Sequence, residues 1–441
     1  MKSFVTRRTF LQAVSAAAMF APAILASGKS SPNSRVRIAL IGCGGRGREL
    51  LTVFRQFADV EVAAISDVFE PRMEQAAKVL AEGTSPQKPD LVVEHERVLQ
   101  RKDIDAVVIA TTQHWHGIPF IQAAHAGKHI YVEKPFSHTV VEGRAMVEAA
   151  RQAGVTAVMG AQQRGYPHYL KAMEVLRSGR LGKIVLAECW NYEHLGRRVG
   201  KPADTDPPAG LHWDRWLGPA PLVPFNPARL NNSWWFDYGG GMMTNWAIHH
   251  IDIILWAMQA ASPTAVSCSV GKLIVDDLAD TPDTICATWE FPNFVMQYSY
   301  RGFSSFRTVQ NRPYNHGICF YGDRATMVLD RSGYEIWDER SPAKSSEHED
   351  NPRHWGDGKP GNEVDGPWQR LFVDCVKEGK QPPVTLEQSH KATVCCHLAN
   401  IAYRTGHKIR WDGDREKIVG DEEASQLLHR PRRKGYELPT G

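Results

Sequence analysis

The chain has 441 residues, 42% of them hydrophobic and 23% charged, with 52 basic side chains against 49 acidic ones. That length suits two domains, and that composition supports a sizeable apolar core. A net charge of +3 excludes a nucleic-acid binder acting through its overall field, and the one basic cluster, His429 to Lys434, reads as a solvated C-terminal tail.

Residues 1–34 read as a targeting segment and linker. Thr6-Arg7-Arg8-Thr9-Phe10-Leu11 is a twin-arginine pattern. Ala13 to Ala26 is an apolar run too short to span a bilayer as a mature helix. Small residues at Ala23, Ala26 and Ser27 predict cleavage between Ser27 and Ser34. The expectation is export to the periplasm by the twin-arginine route, already folded, with no stable membrane insertion. The eight cysteines form no C-x-x-C and read as structural thiols.

The next stretch, Arg35 to Phe57, predicts a strand, a glycine loop and a helix. Val36, Ile38, Ala39, Leu40 and Ile41 form an apolar run, and Gly42-Cys43-Gly44-Gly45-Arg46-Gly47 fits G-x-G-x-x-G. Gly42 permits the tight turn, Gly44 lets backbone approach a pyrophosphate, and Gly47 lets helix and strand pack closely. Gly45 and Arg46 complete the loop at a helix N-terminus that favours phosphate. A second strand, Val60 to Ser66, ends on Asp67, twenty residues past Gly47, where an acid binds an adenosine ribose diol. Asp67 favours NAD; Arg72, a few residues on, leaves NADP open. A periplasm is not expected to supply free NAD, so the cofactor should be tightly held.

Residues 35–160 continue in a strand–helix rhythm. Helix 71–82, a strand near 91–94, strand 106–110, helix 117–126, strand 129–132, helix 139–152 and strand 155–159 follow in order. This predicts an α/β, Rossmann-type domain with ligands beyond the carboxyl ends of a parallel sheet. Those ends carry Asp67, Thr111-Thr112-Gln113-His114-Trp115-His116, Glu133-Lys134-Pro135 and Gln162-Gln163-Arg164. Thr111, Thr112, His114, His116, Glu133 and Lys134 are therefore cofactor-site candidates, and Arg164 a substrate-site candidate.

From 161 to 412 the pattern predicts an α+β domain with a mostly antiparallel sheet. Helix 166–178 and strand 184–193 lead into a Pro- and Trp-rich connection, 200–235. Gly239-Gly240-Gly241 precedes a helix from Met243 to Met258. Strands follow at 264–271, 283–290, 293–301, 317–322, 325–330 and 333–338, then a polar loop, 342–366, and helices 367–378 and 387–403. Residues 413–441 read as a tail.

Three features point to chemistry. Lys134 ends a buried strand before Pro135, extended toward the cleft, where an ammonium polarises a hydroxyl; a surface pair with Glu133 is the alternative. Asn245, His249, Asp252 and Trp256 are spaced to share one helical face, with His249 the natural general base and Asp252 a substrate contact. Tryptophans 213, 216, 234 and 235, with Tyr192 and Tyr238 nearby, suit the apolar faces of sugar rings, so Trp235 and Tyr192 join the substrate candidates. The pairs His249/Asp252 and His114/His116 lack a third ligand at a metal spacing, and no metal is expected.

Assembled, these residues resemble the glucose–fructose oxidoreductase/inositol dehydrogenase family (Gfo/Idh/MocA) from 35 to 412. The resemblance rests on the glycine loop, Thr111 to His116, Glu133-Lys134-Pro135 and Gly239 to Trp256 in order, and Trp216-Leu217-Gly218-Pro219 with Trp234 to Gly241 is similar to exported members. It implies hydride transfer between a substrate carbon and a nicotinamide, with Lys134 on the reacting oxygen and His249 taking its proton. It also implies a homodimer or homotetramer formed through the second domain's sheet. The family usually carries an aspartate four residues before the histidine; here Asn245 stands there, able to orient a hydroxyl but carrying no charge. Three readings follow: a dehydrogenase acting on a sugar, glycoside or cyclitol hydroxyl; a redox-neutral glycosidase using transient oxidation; and a non-catalytic sugar-binding relative. The family's hydrolases of the second kind lack the lysine, so an intact Lys134 weighs against that reading.

Overall fold

The computed structural model describes residues 35–82, 86–194, 199–306, 308–309, 312–313, 315–341, 345–350 and 366–440. The twin-arginine pattern and most of the polar loop 342–366 lie outside them. Among the described residues no helix is long and apolar enough to cross a membrane.

The first sheet is built from β1 (Val36–Ile41), β2 (Val60–Ser66), β3 (Asp90–Val92), β4 (Ala106–Ile109), β5 (His129–Val132) and β6 (Ala157–Met159). They lie in the order β3-β2-β1-β4-β5-β6, each pair parallel. β1, β4, β5 and β6 are buried almost without interruption, as strands covered by helices on both faces must be. The order reverses between β1 and β4, and the carboxyl ends of β1, β4 and β5 open there.

The second sheet has ten strands. β7 (Ile184–Tyr192), β8 (Ala265–Gly271), β9 (Thr284–Glu290) and β10 (Val295–Arg301) form its middle. A short separate ladder pairs β11 (Thr308–Val309) with β12 (Arg312–Pro313). β13 (His316–Gly322), β14 (Ala325–Asp330), β15 (Gly333–Asp338) and β16 (Glu347–Asp350) extend one edge, and β17 (Ile409–Asp412) and β18 (Lys417–Ile418) the other. Every adjacent pair is antiparallel except β7 with β10. One face of this sheet packs with the helices Pro167–Arg177, Ile248–Met258 and Leu386–Thr405 into a single apolar core.

Two expectations are corrected by the packing. The helix Gly366–Glu378 belongs by sequence to the second domain, yet Trp368, Phe372 and Val373 pack into the core of the first sheet. Trp368 Nε1 donates to the Met159 carbonyl (2.9 Å), and Arg370 pairs with Asp59 (2.7 Å). The segment after 412 is not a solvated tail. It forms β18 and a short helix, Glu422–Gln426, and its arginines are bound to the body of the protein. All eight cysteines are free thiols, and burial pushes Cys395 up to about 12.

The core holds several neutral histidines. Burial lowers His168, His316 and His397 each to about 4, hydrogen bonds from His168 to the Asp330 carbonyl and from His397 to the Ser137 carbonyl notwithstanding. Each takes up a proton near pH 6.5 in the unfolded chain but only near 4 when folded. Their stabilisation is therefore complete above the unfolded value and is lost as pH falls from there toward 4, by up to about 1.4 kcal/mol per pH unit for each histidine. Urea midpoints measured from pH 7 down to pH 5 should fall steeply; a flat profile would contradict this.

Candidate active site

The glycine loop leaves β1 through Gly42, whose φ of +99° suits glycine, and whose Cβ would lie 2.6 Å from the Ala110 carbonyl. A Cβ on Gly47 would overlap the Gly42 carbonyl oxygen, so the helix Gly45–Phe54 packs as closely on β1 as the sequence requires. Gly44 and Gly45 have nothing within 4 Å of their Cβ positions. The helix N-terminus thus opens on a cradle bounded by backbone, the arrangement a pyrophosphate needs. These residues fit a dinucleotide.

Asp67 braces that loop. Its carboxylate accepts from the amide of Cys43 (2.6 Å) and from that of Phe69 (2.8 Å). Burial raises its pKa, with the two amides and the nearby Arg72 and Arg48 acting against the rise. Arg72 lines the same end of the cleft with its guanidinium over the Phe69 ring (5.4 Å).

The cleft is a cavity of about 740 Å3, inside the range of about 300–1,000 Å3 typical of ligand sites. Its first wall carries Gly42, Gly44, Gly45, Arg46, Asp67, Thr111, Thr112, Glu133 and Lys134. Its second carries Trp216, Leu230, Asn232, Ser233 and Asn245. Backbone pairing holds the walls together: Glu70 donates to the Gly210 carbonyl and His212 to that of Val68 (both 2.9 Å).

Lys134 sits where the walls meet. Its Nζ donates to the Asn245 carbonyl (2.8 Å) and to Asn245 Oδ1 (2.9 Å). The buried Glu133 carboxylate accepts from Arg46 Nε (2.9 Å) and from the Lys134 backbone amide (3.2 Å). The Lys134–Pro135 peptide is cis. Asn245 lies in a π-helical turn, Met243–Ala247, that leads into the helix Ile248–Met258. Single π turns concentrate at functional sites because they re-aim side chains, and this one was invisible to a 3.6-residue period. A smaller cavity beside the first is lined by Lys134, Gln163, Ile248, His249 and Asp252. Burial drives the His249 pKa well below its ordinary value, and the charges of Lys134, Arg331 and Arg46 and neighbouring His250 push the same way. His249 is thus an uncharged imidazole at neutral pH.

Other candidates lie elsewhere. His114 is fully buried behind the cleft, packed between Trp216 and Tyr238 with Nε2 on the Trp216 carbonyl (3.1 Å). His116 is a brace, its ring nitrogens on the carbonyls of Pro135 (2.8 Å) and Thr111 (3.2 Å), which ties the ends of β4 and β5 together. Arg164 is paired with Asp252 through a buried two-pronged contact (2.6 and 2.7 Å), while Asp252 itself borders the small cavity. Trp235 is in the core, with Nε1 on the Ala228 carbonyl and Arg229 over its ring. Tyr192 faces the opposite side of the second sheet, with Trp190 and Cys319 in a separate cluster, its hydroxyl on Ser299 (2.6 Å). Trp115, Asn232 and Tyr436 line the cleft and were missed; the run from Thr111 to His116 could have flagged Trp115, but nothing local flags Tyr436. Among the described residues no three His, Cys, Asp or Glu side chains converge as metal ligands.

The fold and cleft define a two-domain protein with a Rossmann dinucleotide site and a second α+β domain closing over it. The chain belongs to the Gfo/Idh/MocA family. Residues 36–161 match the oxidoreductase family's NAD-binding Rossmann fold, 211–328 its GFO/IDH/MocA C-terminal domain, and 363–438 an oxidoreductase-family C-terminal alpha/beta domain. Among curated relatives, a glycosyl hydrolase family 109 protein of a Shewanella species is 27% identical over 175 residues. An alpha-N-acetylgalactosaminidase of Shewanella oneidensis is 26% identical over 176 residues. Each alignment covers 37% of this chain, and the chain spans 38% of the length of either relative. Levoglucosan dehydrogenase, solved with NADH and levoglucosan, superposes with a TM-score of 0.65 at 17% identity, over 86% of this chain and 99% of that one. The WlbA dehydrogenase of Bordetella pertussis, solved with NADH and UDP-GlcNAcA, gives 0.64 at 17% identity, over 87% and 99%.

Proposed function

We propose that this protein is an NAD(P)-dependent oxidoreductase acting on a secondary hydroxyl of a sugar, glycoside or cyclitol. The observation that carries the reading is that Lys134, which lines the dinucleotide cleft, also shares one small cavity with His249. A nicotinamide dinucleotide, when bound, supplies the hydride acceptor. The backbone at Gly44 and Gly45 holds its phosphates, and Asp67 stands at its ribose end. Lys134 donates to the oxygen on the reacting carbon and favours that oxygen's anionic form. Neutral His249 takes the hydroxyl proton. Asn245 holds Lys134 in place without cancelling its charge. Arg72 supports acceptance of NADP beside NAD.

Two further parts belong to the same proposal. The pattern Thr6 to Leu11 supports export to the periplasm with the cofactor aboard. The outer face of the second sheet, with Tyr192, Tyr321 and Trp337 clustered on it, supports assembly into a homodimer or homotetramer.

A second reading, redox-neutral glycoside cleavage, is favoured by the hydrolase names of the curated relatives. One assay separates the two. Purified protein is incubated with a panel of sugars and glycosides, with absorbance followed at the reduced-nicotinamide band and products analysed by mass. Reduced cofactor with a product two hydrogens lighter is the expected result. Cleaved glycoside without net reduction would move the assignment to the hydrolase, and neither outcome on any sugar would defeat both.

A further inference from the structure

The C-terminal basic cluster has a use that its composition conceals. Arg430 is half-buried, and its guanidinium donates to the carbonyls of Asp237 (2.8 Å) and His114 (3.1 Å), one in each domain. Burial lowers its pKa only to about 10, so it stays charged. Arg432 pairs with the fully buried Glu142 on the Rossmann helix Val140–Ala153. Arg433 donates to the Gly218 carbonyl (2.6 Å) and to Asp214 (2.6 Å). Past these anchors, Gly435 and Tyr436 line the large cavity. The Tyr436 ring meets Trp115 edge-on (5.6 Å, 86°), and its hydroxyl reaches Asp214 (3.4 Å). Leu438 then packs against the core of the first sheet.

Three arginines within four positions, bonded to carbonyls and carboxylates of the two domains, hold the segment in place. The ordered segment forms one side of the cleft.

We propose that residues 430–438 are a retaining strap for the dinucleotide, with Tyr436 forming part of its binding site opposite the glycine loop. The proposal rests on the reading of the cleft as a dinucleotide site. Its consequence is kinetic: release requires the strap to lift, which breaks contacts in both domains at once. Such retention suits a protein that works where free cofactor is scarce.

The test is the dissociation rate of bound NADH, read by its fluorescence during a chase with excess NAD. It is measured on the full chain, on Tyr436→Ala, and on a chain ending at Leu428. The expected result is release at least about tenfold faster from Tyr436→Ala, and faster still from the shortened chain, affinity changes of this kind falling chiefly on the off-rate. Release within twofold of the full chain by Tyr436→Ala, with its urea midpoint unchanged, would overturn the strap. Should the shortened chain fail to fold, Tyr436→Ala alone decides. A full chain that never binds NADH would instead defeat the dinucleotide reading itself, so the two failures are distinguishable.

Discussion

Lys134→Met should abolish most turnover while leaving the dinucleotide in place. Removal of one donor aimed at a developing oxyanion costs about 10²–10³ in kcat. Lys134 is such a donor by position: it follows β5, lines both cavities and donates to the neutral Asn245. The cradle at Gly44 and Gly45 does not involve its ammonium, so the nucleotide content of the purified variant should match that of the wild type. The measurement is kcat on whichever sugar the panel identifies, together with nucleotide released on denaturation. Unchanged kcat would take Lys134 off the reacting oxygen. A loss of nucleotide in step with activity would make its role one of cofactor binding.

Arg164→Met should destabilise the fold by about 3–5 kcal/mol, the usual consequence of leaving one member of a buried ion pair alone. The two side chains are only 2% and 5% exposed, joined by Arg164 Nε and Nη2 to the two oxygens of Asp252, with Nη2 also on the Asp252 carbonyl (3.2 Å). The guanidinium also lies over the Trp256 ring (5.0 Å), so packing is lost with charge. The double variant Arg164→Met with Asp252→Leu should recover most of the loss, because a buried pair replaced by apolar groups is often neutral. Urea unfolding of both variants decides. Arg164→Met within about 1 kcal/mol of wild type would mean that the pair is solvated in a way its burial denies.

The contrast between these residues explains what the sequence could reveal. The Rossmann half was legible because each of its signals is local: an apolar run, a glycine spacing, an acid at the end of the next strand. Lys134 was legible for the same reason, as it ends a strand and precedes a proline. Arg164 and Asp252 were both chosen as substrate contacts because each is polar at a place where ligands bind, yet they lie 88 positions apart and satisfy one another. No periodicity records such a pairing. Tyr192 failed by parity: Cys189, Trp190, Asn191 and Tyr192 are all buried, so alternation gave no sign of which face looked toward the site. The tail failed because a run of arginines reads as solvated unless its distant carbonyl and carboxylate partners are known.

The most direct test of the central claim, hydride transfer in this cleft, is the mass of the nicotinamide released from protein quenched during turnover of a sugar deuterated at its ring carbons. Dehydrogenase and redox-neutral hydrolase share that step, so the measurement does not depend on choosing between them. The account predicts that the reduced nucleotide is one mass unit heavier than that formed from the ordinary sugar. Reduced nucleotide of ordinary mass, or a sugar converted with no reduced nucleotide at any time, would contradict it.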